Sequence, residues 1–262
     1  YLNYKKNMNK LTTKNIIDKA KYLEGKTLRE VLKLNKSGDS ENSMKNKSNF
    51  ARFIERDYFN LPLNSDSKPD FREIGIELEL KTSGFKYIKS GNFYNAKERI
   101  TLTQIDYNDV IENEKWINNS HLKKVNNILF IVYLYEKDIS TIDRRIIHTF
   151  TWNPNSIQSN LMQKDYSLMR KNIIAGNHLS GGDYSYMGNC PRHNSKHNKK
   201  KLSLSEEGSI DSRHPYLKYA ERRAFDLKPR VFTEIVADSL NIIARKKGRS
   251  VGLFKEDFPN FS

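Results

Sequence analysis

Three carboxylates and an amine gather within one short stretch of this chain: Asp70, preceded by Pro69, and then Glu77, Glu79 and Lys81 at alternate positions. Alternate residues of a strand share one face, so Glu77, Glu79 and Lys81 can project together while Asp70 approaches from the turn before them. Carboxylate oxygens converging at a sheet edge suit a hard divalent cation such as Mg2+, which takes one or two carboxylates and keeps several waters. A cation held there polarises a phosphate and lowers the pKa of a bound water. A neighbouring lysine can orient that water and offset the charge developing on phosphorus. An isolated E-x-E-x-K string also fits an exposed strand that alternates for solubility, so the chemistry needs support from its surroundings.

The elements that must position these groups follow from periodicity. Ile74, Ile76, Leu78 and Leu80 alternate with the charged residues and predict a strand over 74–80. Ile100 to Ile105, Ile146 to Trp152 and Ala224 to Lys228 read as further strands, and Ile128 to Tyr135 is apolar on both faces, as a buried central strand should be. Helices are expected from a Thr13 cap to Gly25, around Leu28 to Leu32, from Phe50 to Phe59 with Glu55 beside its apolar side, over 158–174, and from Phe232 to Ala244. Residues 35–49 read as a surface loop. Residues 177–213, with Gly181, Gly182, Gly188 and a basic cluster around Arg192 and Lys196, read as a long recognition loop. The expected organisation is one domain over 8–245, with 1–7 lying before Met8 and outside the fold, and 246–262 a loose tail or the start of a linker. Strands alternating with helices place the chain in the α/β class, and no internal repeat is visible.

Composition limits the partners. A chain of 262 residues with 37% apolar content, including 13 Phe and 14 Tyr, can bury a sizeable core. Its net charge of +15 attracts polyanions, nucleic acid first and an anionic membrane surface second. No apolar run approaches the ~20 residues of a membrane span, and the start carries no signal-peptide pattern, so a cytoplasmic protein is expected. The single Cys190 excludes an internal disulfide and a multi-cysteine zinc site. It has no neighbouring histidine or helix start to activate it as a nucleophile. His193 and His197 are spaced like a metal pair but sit in a Lys- and Asn-rich loop without a carboxylate, which favours solvated loop residues.

The stretch SDSKPDFREIGIELELKTSGF (65–85) resembles the active-site segment of the MutH and Sau-type GATC-cutting endonucleases, whose pattern is D-x6-E-x-K within a PDF-x-x-x-G-[IV]-ELK frame. The likeness continues in order along the chain. Phe50 to Glu55 is similar to the family's preceding helix with its acidic residue, AKERI (96–100) to its KER segment, and Lys124 to its second active-site lysine. LSGGDYSYMGNCPR (179–192) resembles its DNA-reading loop, and RAFDLKPRVFT (223–233) its terminal F-x-LK-x-x-FT element. One departure matters: six residues after Asp70 stands Glu77, but the lysine position then holds Glu79. Either Glu77 is the metal ligand and Glu79 replaces the lysine, or an inserted pair of residues shifts the motif to Glu79 and Lys81. The second is preferred, because ELKTSGF matches the family's wording after the insertion.

The resemblance implies a restriction-endonuclease-like fold, a central mixed sheet flanked by helices. It implies Mg2+-dependent hydrolysis of double-stranded DNA at GATC in a type II restriction system, with a cognate DNA methyltransferase as genetic partner. Asp70 and Glu79 (or Glu77) would hold the metal, Lys81 would orient the water, and Glu55 and Lys124 would complete the charge network. Arg192 and Lys196 would contact bases or phosphates, and Lys228 and Arg230 phosphates. Asp226 stands where the mismatch-repair members carry an aromatic residue used in sensing adenine methylation, so that discrimination does not carry over. Longer members carry a second, similar domain that binds DNA without cutting; this chain resembles their first domain, and the resemblance implies a second MutH-like domain or subunit as a partner. Two rivals remain: a binding module disabled by Glu79, and a nicking enzyme of the mismatch-repair kind.

Overall fold

The apolar run beginning at Ile128 lies, as its lack of a polar face requires, in the middle of a sheet. The computed structural model describes residues 12–33, 47–62, 68–182, 184–192, 210–211, 215–217, 220–248, 250–254 and 256. It is a mixed α/β structure that divides into two compact units. The first takes residues 1–98, 127–153 and 232–262, and the second 99–126 and 154–231.

The first unit holds a six-stranded mixed sheet built from β1 (Glu79–Ile88), β2 (Phe93–Ala96), β4 (Ile128–Leu134), β5 (Ile146–Trp152), β10 (Arg245–Lys247) and β11 (Ser250–Phe254), in the order β10-β11-β2-β1-β4-β5. β1 and β4 run parallel, with Glu79 opposite Ile128 and Lys81 opposite Phe130. Alternation on β4 sends Leu129, Ile131 and Tyr133 to one face, where they join Phe50, Ile54, Phe71, Leu78 and Leu80 in the core. Phe130 turns to the other face and packs on Phe232, ring centroids 4.8 Å apart. Phe232 belongs to helix α6 (Pro229–Ser239), so helices cover both faces.

Among the described residues, three helices precede the sheet. α1 (Thr13–Lys21) is capped by Thr12 in a capping box with Asn15, one residue before the expected cap, and α2 (Leu28–Leu32) by Thr27 with Glu30. α3 (Lys47–Arg52) continues into a π-helical turn, Phe53–Tyr58, which carries Glu55. The end of α1 is tied to β5 through Glu24, whose Oε1 accepts from Thr149 N at 2.6 Å and lies 3.2 Å from His148 Nδ1. On its far side the His148 ring meets Ser239 Oγ at 3.0 Å, but that hydroxyl donates its proton to the Val236 carbonyl, so the trio is a structural brace and not a nucleophile with its base.

Burial pushes Glu24 up, but the hydrogen bonds of His148, Lys21 and Thr149 prevail and bring it down to about 2 from an ordinary 4.5. A depressed carboxylate stabilises the fold above its unfolded pKa, and that contribution disappears as pH falls from about 4.5 through 2. Glu24→Gln is expected to cost roughly 2 kcal/mol at pH 7, after discounting for partial exposure. In urea unfolding, the gap between variant and parent should narrow from about pH 4.5 downward and close only near pH 2.

The second unit is built around a three-stranded antiparallel sheet in the order β3-β9-β6, with β3 (Ile100–Gln104), β9 (Arg223–Leu227) and β6 (Met187–Pro191). Against it lies α5 (Ser156–Ile174), whose Tyr166 stacks on Phe225 at 6.1 Å. α4 (Tyr107–Glu112) and a two-stranded pair, β7 (Ile210–Asp211) with β8 (Ala220–Glu221), complete the described part.

Several boundaries differ from the sequence reading, each for a physical reason. The strand expected over 74–80 begins only at Glu79, because Arg72–Ile74 form a 3-10 turn closed by Gly75 in the left-handed region at φ 82°. Within the expected recognition loop, 187–191 is a sheet strand. Its glycine and proline disguise it, and Pro191 is tolerated at the end of a strand paired on one side only. The residues from 246 are not a loose tail as far as they are described: β10 and β11 form a hairpin, and Leu253 and Phe254 pair with Tyr94 and Phe93. Gly252 is required there, since a Cβ would stand 2.0 Å from the Phe93 ring. Residues 1–7, Lys196, His193 and His197 lie outside the described residues.

Candidate active site

The edge of β1 decides where Asp70 sits. Glu79 N donates to the Asn127 carbonyl at 2.9 Å on the β4 side, so the next amide, of Leu80, points to the opposite edge. β2 pairs with β1 only from Phe85 onward, which leaves that amide without a strand partner. Asp70 Oδ2 accepts from it at 2.8 Å. The Asp70 carboxylate is thereby fixed between Glu79 and Lys81, which share one face of β1. Phe71 N, donating to the Leu78 carbonyl at 3.1 Å, closes the turn that brings Asp70 back.

Lys81 Nζ donates to Glu79 Oε1. Glu79 is 1% exposed and Lys81 partly exposed, so the pair presents its amine outward from a buried carboxylate. Glu77 is elsewhere: it precedes the strand, its side chain is 67% exposed, and it lies 3.5 Å from Arg72. The turn before β1 therefore absorbs the extra residues between Asp70 and Glu79, and Glu77 is not on the strand face with Glu79.

Glu55, on the π turn, belongs electrostatically to the same group. Burial above all, and the negative charges of Asp70 and Glu79, push it up to about 7 against the opposing pull of Lys81 and Arg52. Three carboxylates thus stand near one lysine in a partly desolvated place. Such a donor set fits a hard divalent cation, which supplies the missing positive charge and takes its other ligands from water and phosphate. No preformed cage of three or more ligands exists among the described residues.

Other residues singled out by sequence fall in the second unit. Lys124 lies on a 3-10 turn, Leu122–Asn126, just before β4. Arg192 is exposed at the end of β6, its amide donating to the Arg222 carbonyl at 2.8 Å. Lys228 Nζ donates to the Tyr184 carbonyl and so braces the segment before β6. Arg230 is exposed in the first turn of α6.

Residues 59–165, which include Asp70, Glu79, Lys81 and Lys124, match the sequence family described as DNA mismatch repair enzyme MutH. The chain is also 31% identical, over 232 residues, to the type II restriction enzyme Sau3AI of Staphylococcus aureus, an alignment covering 86% of this chain and 42% of that enzyme. The chain is related to the MutH and Sau-type endonucleases. A second MutH-like relative, the DNA mismatch repair protein MutH of Buchnera aphidicola subsp. Baizongia pistaciae (strain Bp), is 24% identical over 157 residues, 59% of this chain and 67% of the relative. The MutH-like chain spans less than half the length of Sau3AI. Among its described residues, no helix is long and apolar enough to cross a membrane.

Two groups escaped the sequence reading. Asp165, 3% exposed on α5, accepts from the amides of Ser185, Tyr186 and Met187 at 3.0, 2.6 and 3.0 Å, and so anchors the entry to β6. An acidic residue in a polar helix gives no sequence signal of such a role. Arg99 and Asp226 form the second group; AKERI and the aromatic-to-Asp departure marked each residue, but not their pairing.

Proposed function

We propose that this chain hydrolyses phosphodiester bonds in double-stranded DNA at GATC, in the manner of a type II restriction endonuclease, with Mg2+ held by Asp70 and Glu79. The observation that carries this reading is the Asp70 carboxylate bonded to the Leu80 amide, between Glu79 and Lys81 on an otherwise open strand edge. Bound there, Mg2+ would polarise the scissile phosphate and lower the pKa of a water. Lys81 orients the attacking water and offsets charge growing on the phosphate oxygens, while its bond to Glu79 Oε1 keeps the amine in place. Glu55, held near neutrality, sets the charge balance of the pair, and Lys124 is assigned to the same network on sequence grounds. Arg192 and Arg230 serve DNA contact, with Lys196 added from sequence. Lys228 acts there mainly by bracing the Tyr184 segment.

The two extra residues before Glu79 favour the Glu79 and Lys81 alignment, because they are accommodated in the turn at Gly75. Glu77, exposed and beside Arg72, is not assigned to the metal. A restriction role also implies a cytoplasmic enzyme and a methyltransferase that protects host GATC sites.

A supercoiled plasmid with a single GATC site tests the reading. Purified protein with Mg2+ is expected to give linear DNA, and none with EDTA. Open circles instead would make it a nicking enzyme, and a gel shift without any cutting would reduce it to a binding module.

A further inference from the structure

Asp226 is fully buried on β9, and a buried carboxylate is expensive to keep unless it is paired for a purpose. Its partner is Arg99, whose Nη1 donates to both carboxylate oxygens, at 2.9 and 3.1 Å. The Arg99 side chain remains 38% exposed, and its Nε and Nη2 donate to no described residue. The pair lies over a strand position without a side chain: a Cβ on Gly188 would come to 3.0 Å from Asp226 Oδ1 and 3.3 Å from Arg99 Nη1. Thr101, Asp226 and Gly188 stand in one cross-strand row, with Cys190 on the same side of β6. Burial above all, and the nearby Asp226 carboxylate, push the Cys190 thiol up to about 11, so it is not a nucleophile.

The consequence is an arginine whose charge is locally cancelled and whose Nη1 is anchored, with Nε and Nη2 left to face outward. Cancelled charge makes a poor phosphate contact, because that contact draws on net charge and counterion release. Fixed, directional donors fit a pair of acceptors on a base edge, above all O6 and N7 of guanine in the major groove. Resting on the reading of the chain as a DNA endonuclease, we propose that Arg99, positioned by Asp226, contacts a guanine of the recognition site and contributes to its specificity. Asp226 acts through Arg99 and touches no DNA itself.

The test is fluorescence anisotropy of short GATC duplexes, with Ca2+ in place of Mg2+ to prevent cutting, comparing guanine with 7-deazaguanine, which lacks the N7 acceptor. Wild type is expected to bind the 7-deazaguanine duplex roughly tenfold more weakly. Arg99→Met should bind both duplexes at that weaker level, with the salt slope unchanged. Asp226→Asn should also lose discrimination, since Arg99 is then no longer held in position. Arg99→Lys, which leaves the buried carboxylate paired, should lose discrimination at an unchanged melting temperature, separating recognition from a purely structural role. Wild type indifferent to 7-deazaguanine, or Arg99→Met retaining the full penalty, overturns the proposal. So does an Arg99→Met slope shallower by about 0.9 with the penalty intact, which would mark a phosphate contact. If wild type binds GATC no better than a scrambled duplex, the underlying endonuclease reading fails with it.

Discussion

Glu79→Gln is expected to lower the rate of DNA cleavage roughly a thousandfold, about 4 kcal/mol of transition-state stabilisation, while DNA binding stays within about threefold of wild type. The amide keeps the size of the side chain and can still accept from Lys81, so the loss isolates the charge. Glu79 is buried, shares a strand face with Lys81, and lies beside the Asp70 carboxylate on the Leu80 amide. Removing one negative charge weakens any divalent cation held there. Glu77→Gln is the control: its carboxylate is exposed beside Arg72, and its replacement should leave cleavage within about twofold. Single-turnover rates with saturating protein separate the chemical step from binding. Equal losses in the two variants would return Glu77 to the site.

Asp165→Ala should have the largest effect on stability, about 3–5 kcal/mol, because it deprives three backbone amides, two of them buried, of their acceptor at once. Those amides, of Ser185, Tyr186 and Met187, lead directly into β6, which carries Gly188 and ends beside Arg192. The damage should therefore extend from folding to recognition. Urea unfolding reads the first, and hydrogen exchange at residues 185–187 the second, where protection should fall before that of β1 and β4. A loss below about 1 kcal/mol would mean that water replaces the carboxylate without difficulty.

The elements most legible in the sequence are those with strong apolar pattern. β5 and α2 match their expected ranges, and β4 comes within a residue, because Ile, Val and Leu runs report burial directly. β6 was illegible: Met187, Gly188, Asn189, Cys190 and Pro191 show no alternation, and the strand exists because β9 offers it a partner. The β10 and β11 hairpin is also a tertiary effect, held by pairing with β2 that no local window contains. The start of β1 was misplaced for a subtler reason. Ile74, Ile76 and Leu78 do alternate, but Gly75 at positive φ breaks the strand without disturbing that pattern. Within the site, Asp70, Glu79 and Lys81 could be named from spacing and resemblance. Their arrangement depends on an unpaired amide at a strand edge, which spacing cannot reveal.

Mn2+ binding to the protein–DNA complex, followed by electron paramagnetic resonance, tests the central claim most directly. The arrangement of Asp70, Glu79 and Lys81 predicts tight binding in wild type and in Glu77→Gln, weakened roughly tenfold or more in Glu79→Gln and in Asp70→Asn. Equal Mn2+ affinity in all four proteins would contradict it.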